Sequence, residues 1–113
     1  MIILVASDLE SQREVVNKSL VSVLDESMRN IFGESTVKAV YYYLERKHLL
    51  RLEDVPKNPA EFMKAIREIF GDTGAEVIES FLVKDLCEKF RIDGKVSKRL
   101  IECLDGLKWQ HNR

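Results

Sequence analysis

The sequence predicts an all-α protein, a compact bundle of four to five helices, and three observations carry that expectation. Apolar residues recur at helical spacing along most of the 113 residues. No segment alternates apolar and polar residues over a useful length, as a half-buried strand would. Gly33, Gly71 and the Asp93–Gly94 pair punctuate the periodic stretches where helices are expected to end. A composition of 45% hydrophobic and 33% charged residues excludes disordered, collagenous and low-complexity chains. The length suits one domain whose core needs neither disulfide nor metal. No internal repeat or linker is visible, so residues 1–113 are expected to form a single helical domain.

The first helix is expected over about 8–32. Leu9, Val16, Leu20, Val23, Leu24 and Ile31 fall on one side of it. Ser7 or Asp8 can cap its start, and Gly33 can end it at little steric cost. A break near Asp25–Ser27 is an alternative. Met1 to Ala6 is a short apolar run, too short for a secretory core or a membrane span. It can extend the helix, strap the core or lend a strand to a partner. With no targeting signal visible, the expected compartment is the cytoplasm.

The second helix runs from about Glu34–Thr36 to His48, with Val37, Val40, Tyr41, Leu44 and His48 inside one 100° arc. Three successive tyrosines cannot all face one core, so at least one of Tyr41, Tyr42 and Tyr43 must sit at the rim. Residues 49–58 form a connection that Leu52 and Val55 pin to the core. Pro56 and Pro59 forbid a continuous helix there.

Asn58, Pro59 and Glu61 mark the third helix start, with Glu61 placed to reach back to its cap. Its stripe is Phe62, Ile66, Ile69 and Phe70, and Gly71 ends it. The fourth helix is expected to open on a second capping box, Thr73 with Glu76, and to run to Phe90 or Arg91. Ile78, Leu82, Leu86 and Phe90 recur every fourth residue, and Phe81, Val83 and Cys87 widen the apolar surface, as in a helix packed on more than one side. A last helix is expected from Lys95 or Ser97 to Lys108 on Leu100, Ile101, Leu104 and Leu107.

Chemistry-bearing patterns are sparse. Cys87 and Cys103 form neither a C-x-x-C pair nor a zinc ligand set, and read as two small apolar side chains on helix faces. Glu45 and His48 show the Glu-x-x-His spacing of di-iron bundles, but once where such sites use it twice. No phosphate-binding glycine loop, dinucleotide fingerprint, metalloprotease motif or EF-hand loop occurs. No catalytic residue, metal or cofactor is therefore assigned.

Two polar groups stand out. His48 closes a helix on its apolar side, where it is either a base or ligand or a ring packed over the core. Glu79 falls in the apolar arc of the fourth helix. A carboxylate taken into that core needs a donor such as Tyr41, Tyr42 or His48. Glu79, Tyr41 and His48 are thus the candidate buried polar set, either in a pocket or in a structural network at the edge of the bundle.

The net charge of −1 and pI near 6.1 argue against a strongly basic nucleic-acid binder. A local basic face lies between Tyr42 and Arg51, but the connection is too long for a helix-turn-helix, and Glu61 and Glu68 offset Lys64 and Arg67 on the next helix.

Three stretches carry a resemblance: GESTVKAVYYYLERKH (Gly33 to His48), VPKNPAEF (Val55 to Phe62) and IFGDTGAEVIE (Ile69 to Glu79). Together, over about residues 28–90, they resemble the small archaeal helical domain of the Nitrosopumilus output domain 5 type. The resemblance implies an interaction or regulatory role in signalling and supplies no catalytic residue.

The function expected is a non-enzymatic protein-interaction or signalling-output module, with Tyr42, Tyr43 and Arg46 as candidate contacts for a partner protein. Leu9, Val16, Leu20 and Val23 resemble a coiled-coil seam, and Val15, Val21 and Met28 lie outside it. The surplus of apolar groups predicts a homodimer through the N-terminal third. The alternatives are a nucleic-acid-binding domain on the basic face and an enzyme using Glu79, a tyrosine and His48.

Overall fold

The computed structural model describes the backbone of residues 2–91 and 99–111 and the side chains of residues 15–91 and 99–107. Among the described residues four α-helices follow one another: α1 (Ile2–Phe32), α2 (Glu34–His48), α3 (Pro59–Phe90) and α4 (Leu100–His111). A 3₁₀ turn at Leu52–Asp54 interrupts the connection between α2 and α3. Among the described residues no strand is present, and the all-α expectation holds.

The apolar N-terminus is the first turns of α1. Helix already begins at Ile2, so Ser7 and Asp8 lie inside it and do not cap it. The helix also runs unbroken through Asp25–Ser27. Leu20, Leu24, Ser27 and Met28 are buried on its inner side.

Gly33 joins α1 to α2 without a loop. Its N–H donates to Arg29 O at 2.8 Å while its own carbonyl accepts from Val37 N–H at 3.0 Å, so one residue ends one helix and starts the next. Its φ of 82° and ψ of 167° belong to a region essentially reserved for glycine. Gly71, at φ 78° and ψ 173°, does the same within α3 and divides it into two arms. The expected third and fourth helices are these arms. Because helix resumes at once after Gly71, Thr73 lies inside the second arm and is not its cap.

The two glycine joints belong to an internal repeat, which corrects the expectation that the chain has none. Arg29-Asn30-Ile31-Phe32-Gly33-Glu34-Ser35 returns as Arg67-Glu68-Ile69-Phe70-Gly71-Asp72-Thr73. At the offset that takes Gly33 to Gly71, buried Leu24, Ser27, Met28, Val37, Val40 and Leu44 map onto buried Phe62, Ala65, Ile66, Ala75, Ile78 and Leu82. The Phe32 and Phe70 rings stack at 4.9 Å and 14°, which brings the two joints together. Few identities link the halves, since burial restricts size and polarity more than residue type.

The connection is held by Leu50 and Val55, both buried, with Leu52 packed at the edge. Arg51 N–H donates to Asp54 Oδ2 at 3.1 Å, and Asn58 N–H to Asp54 O at 3.0 Å. Pro59 takes the first helical position as expected. Glu61 does not return to the cap: its carboxylate goes to His48.

One core spans all four helices. Phe62, Met63, Ala65 and Ile66 enter it from the first arm of α3, and Ile78, Leu82, Val83, Leu86 and Cys87 from the second. α4 adds Leu100, Cys103, Leu104 and Leu107. α3 as a whole packs against α1, α2 and α4. Phe81 is a correction: it is 49% exposed and does not widen the buried surface. Among the described residues, no helix is long and apolar enough to cross a membrane.

Candidate functional site

The sides of α2 that flank its buried face carry polar clusters, and its outer side carries an exposed stripe. Val37, Val40 and Leu44 point the helix into the core. That fixes Tyr41 and Tyr43 at its flanks and Tyr42 outward.

On one flank, Tyr41 O–H donates to Asp25 Oδ1 at 2.7 Å. Arg29 closes the group, with Nε 3.0 Å from Asp25 Oδ2 and a second bond to Glu34. Partial burial, together with the Asp25 carboxylate, pushes the Tyr41 hydroxyl's pKa up, so it stays a donor. The cluster ties α1 to α2 across the Gly33 joint.

On the other flank, His48 sits between two carboxylates of the first arm of α3. Its Nδ1 lies 2.8 Å from Glu61 Oε1 and its Nε2 2.9 Å from Glu68 Oε2. Tyr43 O–H donates to the same Glu68 oxygen at 2.8 Å, and the Tyr43 ring lies 5.9 Å from the imidazole. Both nitrogens can donate only when the ring is cationic. The bonds to Glu61 and then Glu68 raise the His48 pKa, and the bonds from His48 and Tyr43 lower that of Glu68. The end of α2 adds a favourable dipole for the cation. An imidazolium with both N–H groups engaged has no lone pair for a proton or a metal, so in this state His48 is a clamp between helices.

Glu79 is not in a pocket with these groups. It is half-buried, and its Oε2 accepts the Leu100 N–H at 3.0 Å, capping α4 from a neighbouring helix. The set Glu79, Tyr41 and His48 is thereby dispersed: each is committed to a different helix–helix contact. Buried Ser27 is likewise satisfied, with Oγ donating to Asp85 at 2.5 Å. Among the described residues, no buried side-chain polar atom lacks a partner. Nor do three or more His, Cys, Asp or Glu side chains among them gather as a metal site would require.

The expected seam on α1 turns inward. Leu20 is fully buried, Val16 and Val23 pack against the chain's own core, and Leu9's side chain lies outside the described residues. Met28, expected off that side, is fully buried as well.

The outer stripe of α2 is different. Tyr42 is 64% exposed, with the Arg46 guanidinium 5.5 Å from its ring centroid. Tyr43, grouped with them from the sequence, belongs to the His48 clamp. In its place the structure adds Leu49, 87% exposed at φ 51° and ψ 37°, a left-handed conformation. Lys38 lies one turn before Tyr42 and is exposed. Arg51, at the edge, is shared by Glu45 at 3.7 Å and Glu53 at 3.6 Å. The one hint of Leu49 in the sequence is the missing glycine after His48, where a helix end favours one. No protein-family model, curated protein or solved structure matches the chain.

Proposed function

We propose that the chain is a non-enzymatic helical interaction module that holds a protein partner on the outer face of α2, in a signalling or regulatory setting. Leu49 carries this reading. A large apolar side chain stands almost fully in solvent, on a backbone conformation that costs an L-residue about 1–2 kcal/mol. The left-handed backbone ends α2, with Leu50 N–H donating to Leu44 O at 3.1 Å. The exposed side chain does nothing for the fold, and its exposure is accounted for if Leu49 is an anchor for a partner. Tyr42 and Arg46 beside it are residue types that dominate interface energetics. The likeness of Gly33 to His48 and its neighbouring stretches to an output domain supports the same class of role.

A second reading places nucleic acid on this face, since Tyr42 can stack on a base while Lys38, Arg46 and Lys47 meet phosphates. Against it, Arg51 is occupied by Glu45 and Glu53, which put two carboxylates beside the cations.

The test is site-specific photo-crosslinking in the native host from Ala39, an exposed position on the same side of α2. One protein should be captured, and capture should fall with Tyr42→Ala and with Leu49→Gly. Leu49→Gly should melt no lower than the parent, because glycine relieves the left-handed strain. Nucleic acid in the adduct, or crosslinks only between copies of the chain, would replace this reading with the second one or with a homodimer.

A further inference from the structure

The internal repeat gives the exposed stripe of α2 a counterpart inside the same chain. At the offset that takes Gly33 to Gly71, α2 corresponds to the second arm of α3. Phe32 and Phe70 correspond to each other and stack, so the two units meet about a local two-fold. The contacts agree with it. α2 meets the first arm of α3 at His48, Glu61 and Glu68, and α1 meets the second arm at Ser27 and Asp85.

The second unit carries an addition. α4 packs against α3, and the bond from Leu100 N–H to Glu79 sets its start on one side of the second arm. Val83 and Cys87 follow Glu79 on that side at steps of four residues, and both are buried. Their equivalents on α2 are Tyr41 for Glu79, Glu45 for Val83 and Leu49 for Cys87. Among the described residues no helix lies over Glu45 and Leu49, and both are exposed. The seat that α4 fills on one unit is open on the other.

Resting on the reading of that face as an interaction surface, we propose that the partner presents an amphipathic helix with an acidic flank, seated along Tyr41, Glu45 and Leu49 as α4 is along Glu79, Val83 and Cys87. α4 shows the apolar side such a helix needs, with Leu100, Leu104 and Leu107 buried at steps of four and three. Charge sets the rest. Lys38 and Arg46 stand eight residues apart beside the open seat, about 12 Å along the helix. Neither forms an ion pair among the described residues. Glu45, within the seat, is already engaged by Arg51. Two carboxylates two turns apart on the incoming helix complement these cations.

The test pans a phage-displayed library of helical peptides against the immobilised full chain. Leucine is fixed at the spacing of Leu100, Leu104 and Leu107, and the remaining positions vary among Glu, Lys, Gln and Ala. Enriched peptides should carry more Glu than Lys and should shift the amide NMR signals of Lys38, Tyr42, Glu45 and Leu49. Their affinity should fall about tenfold with Leu49→Gly, as on loss of an interface anchor. The double variant Lys38→Glu with Arg46→Glu should enrich Lys in place of Glu. No enrichment, basic or neutral peptides, signals that shift elsewhere, or indifference to Leu49→Gly would each overturn the proposal. The crosslink from Ala39 separates its failure from that of the reading beneath it. A protein captured while no acidic helix binds leaves the face standing and removes the helix. With no protein captured and no peptide enriched, both fall. Crosslinks only between copies make the occupant a second chain and overturn both.

Discussion

His48 shows what a single residue hides when only its neighbours in sequence are visible. At the end of a helix, with no partner nearby, it reads as a packed ring or an isolated base. Its partners Glu61 and Glu68 come 13 and 20 residues later, from the far side of the connection between α2 and α3. Periodicity places residues on faces but does not say which faces meet, so this pairing was not legible. Glu61 was read as a capping residue for the same reason, since its local use is visible in sequence and its distant use is not. The clamp makes stability depend on pH in a definite sense. His48 has its pKa raised from 6.5 by its two carboxylates. Its contribution is therefore complete below the unfolded value and is lost as pH rises through the higher folded one. Glu68 has its pKa lowered from 4.5, so its contribution is present above that value and lost as pH falls through the folded one. The clamp is strongest between about 4.5 and 6.5, and weakens above that as pH rises toward the folded value of His48. Denaturant unfolding across neutral pH should show the parent losing stability upward through that value, and His48→Gln should flatten this segment. An imidazole NMR titration with its midpoint at or below 6.5 would contradict the double clamp.

The helices themselves were largely legible, because their stripes, the two prolines and the glycines are local signals. Leu20, Val37, Val40, Leu44, Phe62, Ile66, Ile78, Leu82, Leu86, Leu100, Leu104 and Leu107 all sit in the core where periodicity put them. The junctions were less so. Gly33 and Gly71 read as ordinary helix stops, whereas each is a joint with no loop, and the second was masked by the supposed Thr73 cap. Glycine is required at both because of backbone angle alone. A Cβ at Gly33 or Gly71 would meet nothing within 4 Å. Alanine at either position should therefore cost about 1–3 kcal/mol through strain without any clash. Gly106 provides the internal contrast. It lies inside α4, is exposed, and also has nothing within 4 Å of a built Cβ. Alanine there should add about 0.5–1 kcal/mol, since only helix propensity changes. The three variants, compared by denaturant unfolding, should split two against one in sign. If Gly33→Ala and Gly71→Ala are neutral, the joints can relax, and the repeat does not depend on glycine.

At the scale of the whole molecule, the question left by the sequence was which chain covers the apolar side of α1. The helix is 31 residues long, about 46 Å at 1.5 Å per residue. Along its described portion, Val16, Leu20, Val23, Leu24, Met28 and Ile31 are covered by α2, α3 and the connection between them. The other side presents Lys18, Ser22, Glu26 and Asn30, with Val15 as its exposed large apolar group. A long amphipathic helix with apolar groups beyond one stripe looks the same in sequence whether the second side meets a bundle or a copy of itself. Here the stripe is wider than a seam because three segments of one chain share it. Leu20 separates the two arrangements experimentally. If it belongs to the chain's own core, Leu20→Ala should cost about 2–5 kcal/mol, the range for emptying a packed leucine site. The loss should appear at every protein concentration, because no association step contributes to it. In a two-chain interface, by contrast, the melting temperature of the parent would rise with concentration, and the variant would separate into folded monomers. Melting the parent and the variant over a hundredfold range of concentration, with light scattering on both, decides the matter. A parent midpoint that climbs with concentration, together with a variant that stays helical at half the mass, would return α1 to the role of a dimer seam. A constant midpoint with a large, concentration-independent loss in the variant fixes α1 as the spine of its own bundle, and leaves the outer face of α2 as the surface open to a partner.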